Sequence, residues 1–217
     1  MAADVVPDTL RETRIGLPEA VFCEHKSPAQ IDAIVAATRG RLLLTRLSPS
    51  RHAELAEAGR LDYDPVSRTA FLGPEPSVQG PPRVAVVTGG TSDVPLAAEV
   101  ERTLLFHGEA SQRFADVGVA GLWRVLERWQ ELSTFPVVVA IAGMEGALFS
   151  VLGGLVPGVL IALPAANGYG VSAGGKAALS SALASCAPGV VAVNIDNGYG
   201  AACAALRVLG AMRRDAP

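Results

Sequence analysis

At 217 residues, half of them apolar and 18% charged, the chain has material for one full domain and a smaller one. A formal net charge of −3 argues against the basic footprint of a nucleic-acid binder. No apolar run of about eighteen residues escapes a Gly or Pro break, which argues against a membrane span.

Cys23, Cys186 and Cys203 are scattered and lack C-x-x-C spacing, so neither a disulfide framework nor a structural zinc site is expected. Met1–Asp4 lacks the basic start and apolar core of a signal peptide, and a cytoplasmic protein is the expectation.

The first 80 residues are the more charged and less regular part. Ser27-Pro28 opens a helix in which Ile31, Ile34 and Val35 recur at helical spacing up to Gly40. Arg41–Leu47 reads as a strand, Ser48-Pro49 starts a short helix through Ala58-Gly59, and Tyr63–Leu72 reads as a β-ribbon turning at Asp64-Pro65. Pro74, Pro76, Gly80, Pro81 and Pro82 make a stiff linker. Residues 1–80 are thus expected to form a small α/β domain with its linker, and 81–217 a second domain.

From Arg83 onward strands and helices alternate. Strands are predicted at 84–88, 114–117, 136–142, 159–163 and 190–195. Helices are predicted at 92–107, 119–132, 145–156 and 174–185, with a last one ending near Met212. Five βα units predict a doubly wound, parallel, five-stranded sheet of the flavodoxin type. Ligands of such sheets lie outside the carboxyl ends of the strands. That rule gathers Thr88–Asp93, Gly118–Gly121, Gly143–Gly146, Pro164–Gly175 and Asn194–Gly198 at one edge.

The run Val84–Asp93 is the most informative of these. β-branched and small residues give way to Gly89 and Gly90, which permit backbone angles and close approaches that a Cβ would block. Thr91, Ser92 or Asp93 can cap the following helix, whose amino terminus suits a phosphate; a capped turn with no ligand accounts for the same residues.

Glu145 stands at the lip of an apolar strand, either as a partner of the helix dipole or, partly desolvated, as a general base. Cys186 is either a small buried hydrophobe or, if its sulfur faces a pocket, a thiolate. Asn194, Asp196 and Asn197 parallel Asn167, Gly168, Tyr169 and Gly170; both sets suit sugar hydroxyls, phosphate oxygens or a hydrated cation, and equally suit Asx turns. His25, His52 and His107 belong to no catalytic pattern, and neither a phosphate-binding P-loop nor a G-x-G-x-x-G fingerprint is present. Arg11, Arg14, His25 and Lys26 are either a source of charge for an anionic ligand or solvated surface.

Taken together, several motifs resemble the LarB family: Val87-Thr-Gly-Gly-Thr-Ser-Asp-Val-Pro95, Asp116-Val-Gly-Val-Ala-Gly121, Ala142-Gly-Met-Glu-Gly-Ala147, Gly168-Tyr-Gly170, Ser185-Cys-Ala-Pro-Gly189 and Val193-Asn-Ile-Asp-Asn-Gly198. Arg14-Ile-Gly-Leu-Pro-Glu19 and Asp62-Tyr63 extend the resemblance into the first domain. The carboxyl-terminal part is also similar to aminoimidazole ribonucleotide carboxylase.

The resemblance implies a pyridinium-3,5-biscarboxylic acid mononucleotide synthase of nickel-pincer cofactor biosynthesis. Such an enzyme carboxylates the ring of nicotinic acid adenine dinucleotide with carbon dioxide or bicarbonate and then releases AMP. Cys186 would add to the ring and Glu145 would take the ring proton. Thr88, Gly89, Gly90, Thr91, Ser92 and Asp93 would hold the diphosphate, with Gly143, Met144, Gly168, Tyr169, Gly170, Asn194, Asp196 and Asn197 completing the binding site. Magnesium is the expected ion, with Asp93 and Asp196 as candidate ligands. Glu145, Cys186 and Asp196 are expected at the same sheet edge, and the chain is expected to form a homo-oligomer, an octamer by family analogy.

Phe149 stands where the family pattern leads one to expect proline, and Pro164-Ala-Ala-Asn167 replaces a more hydroxyl-rich run. Two other readings remain: aminoimidazole ribonucleotide carboxylation, which would require a Ser-His motif not found here, and a non-catalytic nucleotide-binding scaffold.

Overall fold

The computed structural model describes residues 8, 10–74, 76–78 and 80–214, so the leader reading of Met1–Asp4 falls outside the described residues. The chain divides into two compact units, Met1–Ser77 and Val78–Pro217.

The first unit contains α1 (Arg11–Ile15), β1 (Ala20–Phe22), α2 (Pro28–Ala37), β2 (Leu42–Thr45), α3 (Pro49–Ala53), β3 (Leu61–Asp64) and β4 (Thr69–Leu72). Its sheet runs β1-β2-β4-β3, with β1 parallel to β2 and the other two pairings antiparallel. Ser27 and Gln30 form a reciprocal capping box at the start of α2, and Pro28 fills a first-turn position where no N–H is needed. The predicted ribbon is the β3–β4 hairpin. α1 and β1 escaped prediction because one helical turn and three residues carry no readable period. Ile31 and Val35 pack against Val21, Cys23, Leu42, Leu44 and Leu72. Burial pushes the Cys23 thiol up to about 12.

The second unit contains β5 (Val84–Thr88), α4 (Val94–Phe106), β6 (Ser111–Phe114), α5 (Leu122–Leu132), β7 (Val137–Ala142), α6 (Ala147–Gly153), β8 (Val159–Pro164), α7 (Lys176–Ala184), β9 (Val191–Ala192) and α8 (Gly198–Arg214). All five strands are parallel in the order β6-β5-β7-β8-β9, the flavodoxin-like winding. Every residue of β5 and β7 is buried, as expected of strands covered on both faces. α4 and α8 pack together, while α5, α6 and α7 contribute Val125, Leu132, Leu148, Phe149, Leu152, Ala178 and Ala182 to the core cluster that includes Phe114 and Phe135. Among the described residues, no helix is long and apolar enough to cross a membrane.

Two strand assignments change. β6 ends at Phe114, where the predicted strand begins, because this edge strand uses Gln112 and Arg113, and Arg113 pairs with Glu101. β9 is confined to Val191 and Ala192; beyond it Val193 and Asp196 donate singly to Ala162 and Pro164 as the chain turns away.

Leu152 is fully buried in α6, whereas Val171 is fully exposed. Leu152→Ala should cost the second unit about 2–5 kcal/mol of unfolding free energy. Val171→Ala should stay within about 0.5 kcal/mol, with both read from urea denaturation midpoints.

Candidate active site

A cleft of about 430 Å³ opens where the strand order reverses, lined by the turns after β5, β6, β7 and β8. Gly89, Gly90, Ser92 and Asp93 come from the first turn, Gly118, Val119, Ala120 and Arg124 from the second, Ala142–Leu148 from the third, and Asn167 and Tyr169 from the fourth.

Close backbone approaches assemble this floor. A Cβ on Gly118 would lie 2.3 Å from the Gly89 carbonyl oxygen, so only glycine lets the turns after β5 and β6 touch. Thr88 is fully buried and accepts from the Asp116 N–H at 3.1 Å, fastening the same two turns. A Cβ on Gly143 would fall 2.1 Å from Asn167 Oδ1, so its absence makes a slot for the Asn167 side chain. Through that slot Asn167 Nδ2 donates to Asp93 Oδ1 at 2.6 Å, while the Gly90 N–H donates to Asp93 Oδ2 at 2.9 Å.

Asp93 is 3% exposed, and its pKa is raised by burial against the lowering effect of the hydrogen bonds from Asn167, Gly90 and Gly89. Neither Gly89 nor Gly90 has a positive φ; Gly90 is extended, with a φ of −146°. Thr91 and Ser92 are exposed, and neither hydroxyl caps α4. Met144, by contrast, is a non-glycine residue at a φ of +51°, a conformation stored at the cleft. Glu145 beside it is exposed at the lip, not desolvated. Phe149 is fully buried behind the cleft and does not line it, so this departure from the family pattern falls in the core.

Other expected residues lie elsewhere. Gly168 packs on Met144 and Ser172 just behind the lining, and Gly170 has open space at its Cα. Asn194, Asp196 and Asn197 follow β9, the far edge strand, and do not line the cleft. Asn194 accepts from Ile195 N–H, Asn197 Oδ1 accepts from Gly200 N–H and caps α8, and Asp196 Oδ1 accepts from Ala166 N–H at 2.8 Å.

Three strand spacings, roughly 14 Å, separate the ends of β5 and β9. Asp93 and Asp196 therefore do not form one cation site. Asp93 is already engaged by two donors, and no group of three or more acidic, histidine or cysteine side chains among the described residues could hold a metal.

Cys186 corrects the expectation of a shared edge. It lies in the turn between α7 and β9, and an αβ turn of a parallel sheet sits at the amino ends of the strands, opposite the cleft. It is exposed. Arg11, Arg14, His25 and Lys26 belong to the first unit, where Arg14 pairs with Asp8.

Arg124 is the cleft residue that sequence reading missed. It sits on the first turn of α5, eight residues beyond Asp116, whose carboxylate it meets at 2.7 Å. A cation opening the helix behind a glycine-rich βα turn was the available signal.

Residues 83–216 match the family model described as AIR carboxylase, and residues 3–74 match the one described as the LarB/PurE-like N-terminal domain. The domain that carries the cleft is thus of carboxylase type. The chain belongs to the LarB family, with an AIR carboxylase-like core. It is 32% identical over 209 residues to the uncharacterized protein MJ0165 of Methanocaldococcus jannaschii, a match covering 89% of this chain and 79% of that protein. Among solved structures, that of a single-residue variant of Treponema denticola PurE2 is similar with a TM-score of 0.49 and 24% identity, covering 61% of this chain and 82% of that one.

Asn167→Ala should raise the Asp93 pKa further, because the hydrogen bond holding it down is lost. A pKa raised above the ordinary 3.8 means that the native state keeps its proton longer than the unfolded chain. Stability therefore falls as pH rises from 3.8 through the native pKa, and in the variant this fall extends to higher pH. Carboxyl-detected NMR titration, paired with denaturation at several pH values, reads both; an unmoved Asp93 would dismiss the contact.

Proposed function

We propose that this protein carboxylates the pyridinium ring of nicotinic acid adenine dinucleotide and then hydrolyses the phosphoanhydride, giving pyridinium-3,5-biscarboxylic acid mononucleotide and AMP. The observation that carries this reading is a cleft at the switch point of a carboxylase-type sheet with Glu145 at its lip.

The chemistry follows from the ring. A pyridinium carbon is electrophilic and cannot attack carbon dioxide. Addition of the Cys186 thiolate forms a C–S bond, moves an electron pair onto the ring nitrogen and leaves an enamine-like carbon that is nucleophilic. That carbon forms the new C–C bond to carbon dioxide, taken up as such or as bicarbonate. Glu145 then removes the proton from the same carbon; the electron pair re-forms the aromatic ring and the C–S bond breaks, returning the thiolate. Water finally cleaves the phosphoanhydride. Asp93 and Asp196 do not come together around a cation, and no step here is routed through a metal.

Cys186 and Glu145 must reach one ring, yet a single chain holds them at opposite ends of the sheet. The thiol that serves a given cleft is therefore supplied by a second copy of the chain in a homo-oligomer. Its setting supports this: Cys186 is exposed, and nearby on α7 and β9 Leu183 and Val191 are 72% and 48% exposed, an apolar rim suited to burial against another copy.

Aminoimidazole ribonucleotide carboxylation is supported less well. The second unit's histidine, His107, caps the carboxyl end of α4, at the amino edge of the sheet and away from the cleft. A non-catalytic scaffold would leave Glu145 and the thiol without a role.

Purified protein given nicotinic acid adenine dinucleotide, bicarbonate and magnesium should yield AMP and a dicarboxylated mononucleotide by mass spectrometry; folded protein forming neither would refute the reading. Cys186→Ala and Glu145→Gln should each lower carboxylation at least about 100-fold. Oligomers reassembled from a mixture of the two variants should regain activity, because some clefts then pair an intact Glu145 with an intact Cys186. Mixtures as inactive as the parents would exclude a thiol supplied by a second chain.

A further inference from the structure

Cys186 is exposed, yet both of its chain neighbours are fastened to the helix that follows Glu145. A misplacement of about 1 Å can cost a reaction roughly 100-fold, so a nucleophile on a solvent-facing turn needs a mount. We propose that Ser150 and Ser185 are positioning residues for the Cys186 thiol, their paired hydroxyls holding the turn that presents it. The inference rests on the reading of Cys186 as the ring nucleophile and adds to it the device that places the group.

The turn is built outward from Ser185. α7 ends at Ala184, and Ser185 leaves the helix with a φ of −61° and a ψ of 135°. Its Oγ accepts the Ala187 N–H at 3.2 Å, which closes a small ring of backbone with Cys186 between the two bonded residues. The same Oγ meets Ser150 Oγ on α6 at 2.8 Å, joining the turn to a helix distant in sequence. A hydroxyl has one proton and two lone pairs, so Ser185 can take the N–H and still share a proton with Ser150.

α6 meets the turn a second time, one helical turn beyond Ser150. A Cβ on Gly153 would lie 2.7 Å from Ala187 Cβ and 3.2 Å from Val190 Cγ2, so the bare Cα of Gly153 lets the helix press against the residues after Cys186. Leu148, Phe149 and Leu152 bury α6 itself in the core. The neighbours of Cys186 are thus tied to a core-packed support while Cys186 faces solvent. Removing both members of a neutral hydroxyl pair is nearly neutral for stability, so what the pair supplies is geometry. The same seven-residue helix begins directly after Glu145-Gly146, so a support about 10 Å long carries the turn of the base at its amino end and the turn of the thiol near its carboxyl end.

Full-length Ser150→Ala, Ser185→Ala, the double variant and Ser185→Thr are compared with the unaltered protein, with folding checked by urea denaturation. Hydrogen exchange at the Ala187 amide, followed by NMR, reports the turn independently of turnover. It should quicken roughly 5- to 10-fold in both single alanine variants and slow again in Ser185→Thr, while the amides of α7 and β9 keep their rates. With nicotinic acid adenine dinucleotide and bicarbonate, kcat should fall about 10- to 100-fold in either single alanine variant at a KM within about twofold, and the double variant should be no slower than the worse of the two. Ser185→Thr should recover most of the loss. Iodoacetamide imposes no such orientation, so peptide mass spectrometry should show Cys186 alkylated within about twofold of the unaltered rate in every variant.

An Ala187 exchange rate unmoved by the loss of either hydroxyl overturns the proposal irrespective of turnover. So does an unaffected kcat, and so does alkylation that falls in step with kcat, because the hydroxyls would then set the reactivity of the thiol and not its place. A turn loosened in both variants of a protein that carboxylates nothing would remove the proposed reaction and leave the mount of Cys186 standing.

Discussion

The cleft depends on one contact threaded through a missing side chain. Asn167 reaches Asp93 only because Gly143 has no Cβ, and in doing so it ties the turns after β5, β7 and β8 together. Asp93 in turn holds the Gly90 N–H, so the turn that opens onto the cleft is shaped by the same carboxylate. Buried polar groups are costly unless satisfied, and here the satisfaction of one buried acid fixes the relative position of three loops. The hydroxyls of Thr91 and Ser92 play no comparable part in shaping that turn.

Such loop-to-loop ties explain what was legible in the sequence. The central strands could be read because β5 and β7 are covered on both faces and so appear as unbroken apolar runs. From their alternation with helices a parallel, doubly wound sheet followed, and from that the edge at which ligands gather. Edge strands were harder. β6 buries only Phe114 fully and uses polar residues elsewhere, and β9 is two residues long, so neither carries the pattern of a central strand.

The same limit applied to individual side chains. Sequence reading put Asn194, Asp196 and Asn197 with the site because they follow a strand, but that strand is the outermost one, and there Asn197 caps α8, Asp196 ties the turn to Ala166 and Asn194 bonds the adjacent Ile195 N–H. Cys186 was assigned by resemblance to a motif, and a motif carries no information about which end of a strand it occupies. Its position before β9 puts a residue expected within the cleft at the opposite end of the sheet. Arg124 went unnoticed for the opposite reason: an arginine in a polar helix start looks like ordinary surface until the turn beneath it is folded.

The depth at which Cys23 lies has a practical bearing on thiol chemistry. With its proton held up to about 12 and its sulfur buried in the first unit, it is nearly all thiol at neutral pH and sterically closed to alkylating reagents. Labelling of the native protein is therefore shared between Cys186 and Cys203, and of these only Cys186 is exposed. A single fast-reacting equivalent thus identifies the turn before β9, and its protection on assembly or ligand addition becomes a direct reporter of what covers that turn.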